Sequence, residues 1–181
     1  EDVFSRLADY VPLDRQRKVR SPKDYTLLTV LPNNMCNFSC SYCYSAIGRN
    51  KDSLSPSYLE KAIDYFFESK GNDFDRSLTI SFMGGGEPML SWDVVKSGIL
   101  YARQLSLSKG IKLNIRIITN GSILDDERLR FIKEQSIEVS VSFEIIPEIQ
   151  ALQRKHNEIV VTNINRFIDY GIPVQLNATI T

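Results

Sequence analysis

The chain has 181 residues, with 22 basic and 22 acidic side chains, one histidine, three cysteines and 43% hydrophobic residues. A chain of this length supplies one core of ordinary size, so a single main domain is expected. A formal net charge of zero removes the long-range positive field on which sequence-independent nucleic-acid binding relies. Apolar runs such as Ile159 to Val161 fall far short of the roughly 18–20 residues of a bilayer crossing. No nucleic acid, no membrane and a cytoplasmic location are the expectations, since no charged start with an apolar core of a leader opens the chain.

In chain order, residues 1–24 contain the basic run Arg15, Arg17, Lys18 and Arg20 and read as a solvated N-terminal extension. A core of residues 25–181 follows. Its first β-rich run is Tyr25 to Leu31. A helix signal opens at Ser55-Pro56, because Ser can accept an orphan N–H and Pro has none to lose. Leu59, Ala62, Ile63, Phe66 and Phe67 give that helix one apolar face, and Gly71 is its expected stop. Leu78 to Phe82 is the next strand, then Trp92 to Ser108 a helix stopped by Gly110. Strands at Leu113 to Ile118, Ile137 to Phe143 and Val174 to Ile180 alternate with helices near Asp125 to Gln135 and Ile159 to Tyr170. Gly171-Ile172-Pro173 breaks the last helix. Five strands joined by helices through short connections predict a parallel α/β sheet.

In such sheets chemistry gathers at the carboxyl ends of the strands. The first strand is followed by Cys36-Asn-Phe-Ser-Cys40-Ser-Tyr-Cys43 and the second by Gly84-Gly85-Gly86-Glu87-Pro88. The third is followed by Thr119-Asn120-Gly121, and the fourth ends in Ser142-Phe143-Glu144. Every unusual loop falls on one rim. Three thiols cannot close a disulfide framework, and these three fall within eight residues, so they read as ligands of one metal centre. With no fourth cysteine, an iron-sulfur cubane would keep one open iron. The rivals are a zinc site completed by the distant His156, and three buried structural thiols. His156 itself, beside Lys155, reads as a surface residue.

The spacing Cys-x3-Cys-x2-Cys, with Tyr42 before the last cysteine, resembles the signature of the radical S-adenosylmethionine enzymes. Gly84 to Pro88 resembles that superfamily's GGEP motif. Thr119-Asn120-Gly121 resembles its TNG segment, although Asn-Gly is also a good turn. Ser142-Phe143-Glu144 resembles the SLDG-type segment of the SPASM-type enzymes that mature sulfatases and ribosomal peptides. In that segment Glu144 stands for Asp and Ile145 for Gly, while Gln150 and Ala151 stand where His-Asp is frequent.

The resemblance implies a partial TIM-like (β/α) barrel, here truncated after the fifth strand, with a C-terminal part and any auxiliary clusters expected beyond Thr181. It also implies a 4Fe-4S cluster on Cys36, Cys40 and Cys43 that reductively cleaves S-adenosylmethionine to a 5′-deoxyadenosyl radical, which takes hydrogen from a protein or peptide substrate. Cofactor contacts are implied for Tyr42 near the adenine, for Gly84, Gly85, Gly86 and Glu87 at the methionine ammonium, and for Asn120. Ser142 is implied near the ribose, Glu144 as a further cofactor contact, and Arg154 at the methionine carboxylate, where a solvated helix-end role is equally open. An electron donor such as flavodoxin or ferredoxin is the expected partner. The alternatives are an activating enzyme for a glycyl-radical protein and, in another class, a zinc-binding interaction domain. The β-branched last strand, with a free edge, is expected to self-associate.

Overall fold

A computed structural model describes residues 25–69 and 77–179. The N-terminal extension, the Gly71 helix stop and the last residue of the fifth strand signal, Ile180, lie outside them. Five strands, β1 (Leu27–Val30), β2 (Leu78–Phe82), β3 (Leu113–Thr119), β4 (Glu138–Ser142) and β5 (Val174–Asn177), form one sheet in sequence order, each parallel to its neighbours. Between them run α1 (Pro56–Ser69), α2 (Trp92–Lys109), α3 (Asp126–Glu134), α4 (Pro147–Gln153) and α5 (Asn157–Asp169). Because strand order never reverses, the sheet has no topological switch point of the doubly wound kind. It is wound in one direction, as in a barrel.

The register explains which face the helices cover. Leu78, Ile80 and Phe82 lie beside Leu113, Ile115 and Ile117, and all six are buried. The chain buries this apolar face under its helices: α1 and α2 meet at Gly98, where a Cβ would run into Leu59 of α1 and come within 3.5 Å of Phe82. The opposite face carries Thr79 and Ser81, then Asn114, Arg116 and Ile118, then Glu138, Ser140 and Ser142. It is largely polar, and its one ion pair, Arg116 to Glu138 at 2.8 Å, is half exposed. In a parallel barrel this face looks inward.

Caps set the helix ends. Asp125 accepts from the Arg128 N–H at 2.8 Å and starts α3. Gly110, at φ +64°, ends α2 with its N–H on the Leu107 carbonyl. Ser55 behaves differently from a capping serine, since its hydroxyl meets that of Ser57 at 2.9 Å. Helix α4 was not expected from the sequence. It is seven residues long, with Pro147 in its first turn, and its apolar Ile149 and Leu152 are exposed, so no buried stripe announces it. The strand β5 has four residues and, among the described residues, pairs with β4 alone.

Candidate functional site

The cysteine loop leaves β1 and is pinned at its base. Asn33 bridges to Ser53, and the Leu54 N–H reaches the Pro32 carbonyl at 2.8 Å. Inside the loop, Phe38 is buried and plugs it into the body of the protein. Its ring stacks on His156 at 4.6 Å. Two successive turns, Cys43 N–H to Cys40 O and Ala46 N–H to Cys43 O, both 3.2 Å, curl the chain between and after the last two cysteines.

The glycine loop continues β2, whose pairing runs on as the Met83 N–H donates to Val30 O at 3.0 Å. Gly85 has φ +87°, a conformation that only glycine adopts freely. Gly86 is required for a different reason: a Cβ there would run into the Met35 carbonyl and the Asn33 side chain. This close approach lets the Glu87 N–H bond Met35 O at 2.6 Å, one residue before the first cysteine. Ser45, in the cysteine loop, donates to Gly85 O at 2.7 Å. Two backbones thus meet face to face with no side chain between them.

Glu87 is only 2% exposed, and its carboxylate is fully engaged. Oε1 accepts from Met89 N–H at 3.0 Å and Thr119 Oγ1 at 2.6 Å, while Oε2 accepts from Asn120 N–H at 2.7 Å. Burial pushes its pKa up, and those three donors pull the other way. It ties the second rim loop to the third. Asn120 lines the cavity, and its Oδ1 takes the Ser122 N–H at 2.9 Å as an Asx turn does. Its Nδ2 reaches back to Asn37 at 2.9 Å in the cysteine loop.

At the end of β4, Glu144 (4% exposed) pairs with Arg154 at 2.7 Å. Glu144 also accepts from the Tyr42 hydroxyl and from Thr179 N–H. Gln150, fully buried, accepts the Glu144 N–H at 2.9 Å and holds that corner. The Arg154 guanidinium lies 5.1 Å over the Tyr42 ring and sets Nη1 3.7 Å from Cys40 Sγ. Burial against the Glu144 pair decides the titrations here. The Tyr42 hydroxyl is pushed up to about 12, by burial first and then by Glu144. Glu144 is held below the ordinary carboxylate range, the burial penalty being outweighed by the bonds from Tyr42 and Arg154. Burial raises the Cys40 thiol, opposed by Arg154. For Cys43 burial is overcome by Ser45 and Arg49, and the thiol is lowered.

These pieces surround a cavity of about 210 Å³. Every residue expected at the site lines it except Glu144, which stands behind Tyr42 and Arg154. Ser45, Arg49 and Thr119 also line it and were not anticipated. Arg49 sits six residues past Cys43, and a lone arginine beside a cysteine cluster was the signal available for it.

The donor set suits an iron-sulfur cluster. A zinc site needs four ligands on a single centre, and the three cysteines that line the cavity come with no histidine among its lining residues. A cluster instead takes each thiolate on a different iron, and three thiols spaced around one cavity, facing a glycine cradle, match that demand.

The chain is similar over 167 residues, at 23% identity, to a cysteine-type anaerobic sulfatase-maturating enzyme of Clostridium novyi, covering 86% of this chain and 44% of that one. It is 30% identical over 120 residues to an S-adenosylmethionine-dependent nucleotide dehydratase of Pseudoalteromonas ulvae, covering 60% and 37%. The fold is that of native anSMEcpe with bound AdoMet and Cp18Cys peptide, with a TM-score of 0.70 at 22% identity over 84% of this chain and 42% of that one. The chain thus spans under half the length of these relatives. Residues 30–181 match the family described as the Radical SAM superfamily, and with that match over most of its length the chain belongs to this superfamily.

Proposed function

We propose that this chain is the catalytic core of a radical S-adenosylmethionine enzyme that acts on a side chain of a protein or peptide. The observation that carries the reading is the single cavity in which three half-buried cysteines face the Gly84–Gly86 cradle. Membership of the superfamily brings a 4Fe-4S cluster and S-adenosylmethionine as cofactors and disfavours the zinc reading, while the likeness to a sulfatase-maturating enzyme disfavours the glycyl-radical activator.

Cys36, Cys40 and Cys43 would hold the cluster. Together the two cofactors supply a one-electron cleavage and a 5′-deoxyadenosyl radical able to take hydrogen from an unactivated carbon. The protein's part is orientation and exclusion of water. Main-chain carbonyls of the glycine run would receive the methionine ammonium, because Glu87 is buried with both oxygens already accepting from protein donors and braces the loop. Arg154, its charge balanced by Glu144, would offer N–H donors to the methionine carboxylate, and Ser142 and Asn120 line the side where the nucleoside would lie. The peptide substrate is supported by the sulfatase-maturating relative, which matches more of this chain than the dehydratase does. A small flavodoxin or ferredoxin in the cytoplasm is the proposed electron source. Residues 25–181 are the proposed core domain, with 1–24 as an extension.

The test is anaerobic reconstitution with iron and sulfide. About four irons per chain are expected, and S-adenosylmethionine should be converted to 5′-deoxyadenosine on reduction. Alanine at any one of the three cysteines should abolish both. Deuterated cysteine- or serine-containing peptides should pass deuterium into that product. Full iron in all three variants refutes the cluster assignment, while transfer from nucleotides but not peptides refutes the substrate class.

A further inference from the structure

Arg49 is a cation with no carboxylate partner among the described residues. Its Nη1 donates to the Phe38 carbonyl at 2.6 Å and its Nη2 to Cys43 Sγ at 3.0 Å. Its Nε is buried with no partner. A guanidinium held this way costs desolvation unless a negative charge faces it, and the only anion its contacts can supply is the thiolate of Cys43. The other sulfurs are treated differently. Cys36 faces the neutral donors Phe38 N–H at 3.4 Å and Asn120 Nδ2 at 4.0 Å. Cys40 faces Arg154 at 3.7 Å, but that arginine is already neutralised by Glu144. Among the described residues, Arg49 therefore brings the one uncompensated positive charge that touches a ligand sulfur.

We infer that Arg49 is a positioning residue that sets the reduction potential of the cluster through Cys43, by a charged hydrogen bond to its sulfur. The inference rests on the cluster reading given above. Net charge and hydrogen bonds to the sulfurs are levers that tune such potentials, and the reduced cluster carries one more negative charge than the oxidised one. A cation at Cys43 stabilises the reduced form more and raises the potential. The second contact, to Phe38 O, fixes the direction of the guanidinium from a residue that is itself buried.

The experiment is a redox titration of the reconstituted chain, wild type against Arg49→Gln and Arg49→Lys, followed by electron paramagnetic resonance without S-adenosylmethionine. Leaving out the cofactor keeps any contact of Arg49 with its carboxylate from moving the readout. Gln removes the charge and is expected to lower the midpoint by about 59 mV, a tenfold drop in reduced cluster at fixed potential for one electron. Lys keeps the charge and should recover at least half of that shift. Equal potentials in wild type and Gln, at equal iron content, overturn the inference and leave the cluster reading intact. Loss of iron from both variants also overturns it, since Arg49 would then serve to close the loop and not to tune the cluster. A wild-type chain that takes up no iron overturns both readings together.

Discussion

Gly86→Ala puts one methyl group where two backbones touch. The added Cβ would run into the Met35 carbonyl, and main chain cannot swing aside as a side-chain tip can. Forcing extra volume into a packed site costs about 1–3 kcal/mol. Separating the strands also weakens the Glu87 N–H to Met35 O bond of 2.6 Å, worth about 1 kcal/mol. Acting the other way, Ala lowers the entropy of the unfolded chain by about 0.4–1 kcal/mol, and Gly86 is not among the glycines at positive φ, so its backbone alone does not forbid Ala. The net expectation is a loss of about 1–3 kcal/mol, or roughly 3–10 °C in melting temperature for a chain of this size. Urea unfolding followed by circular dichroism measures it, and iron content after reconstitution should fall in parallel, because Met35 directly precedes Cys36. The two signs are opposite, so the test is sharp: a variant as stable as wild type, or more so, with full iron would show that the two loops do not meet at this point.

Glu87→Gln replaces one carboxylate oxygen by an NH₂ group that cannot accept, so either Asn120 N–H or the Met89 N–H loses its acceptor in a buried place. A loss of about 1–3 kcal/mol is expected, read as a lower urea midpoint with an unchanged slope, and no loss would mean that the third loop is held by other bonds. Glu144 is held below its ordinary pKa in the folded protein, so its contribution is present above the unfolded value of about 4.3 and is lost as pH falls through the folded value. Glu144→Gln should therefore flatten the acid side of the stability profile below about pH 4.5. A variant with the same acid limb as wild type would assign that limb to other carboxylates.

Strand β2 was legible to the residue because its short alternating run ends at a glycine cluster, and α2 to within one residue because a left-handed glycine stops it. The rim placement of the cysteines and glycines was legible for the same reason, since alternating strands and helices fix which loops share an edge. What the sequence did not disclose was where polar side chains spend their hydrogen bonds. Glu87 reads as a ligand-binding carboxylate until the depth of its burial and its three donors are known. Gln150 is polar yet wholly buried, with no pattern to mark it. Helix α4 hides because a seven-residue helix with exposed apolar residues has no periodicity to detect.

The contacts that join the first rim loop to the fourth link residues far apart in the chain: Tyr42 with Glu144 across 102 positions, and Cys40 with Arg154 across 114. Each strand, by contrast, pairs with the next in sequence. Closing a hundred-residue loop directly is entropically slower than zipping neighbouring units, since closure cost grows with the length of chain enclosed. The short path brings these groups together only after β1 to β4 have joined in order. The pocket is therefore a late product of folding, and iron offered to the nascent chain meets three thiols on a loop that still lacks the wall supplied by Arg154 and Glu144. Maturation in the order polypeptide first and cofactor second follows from the topology, and a chain halted before Arg154 would have every cysteine but no finished place to put a cluster.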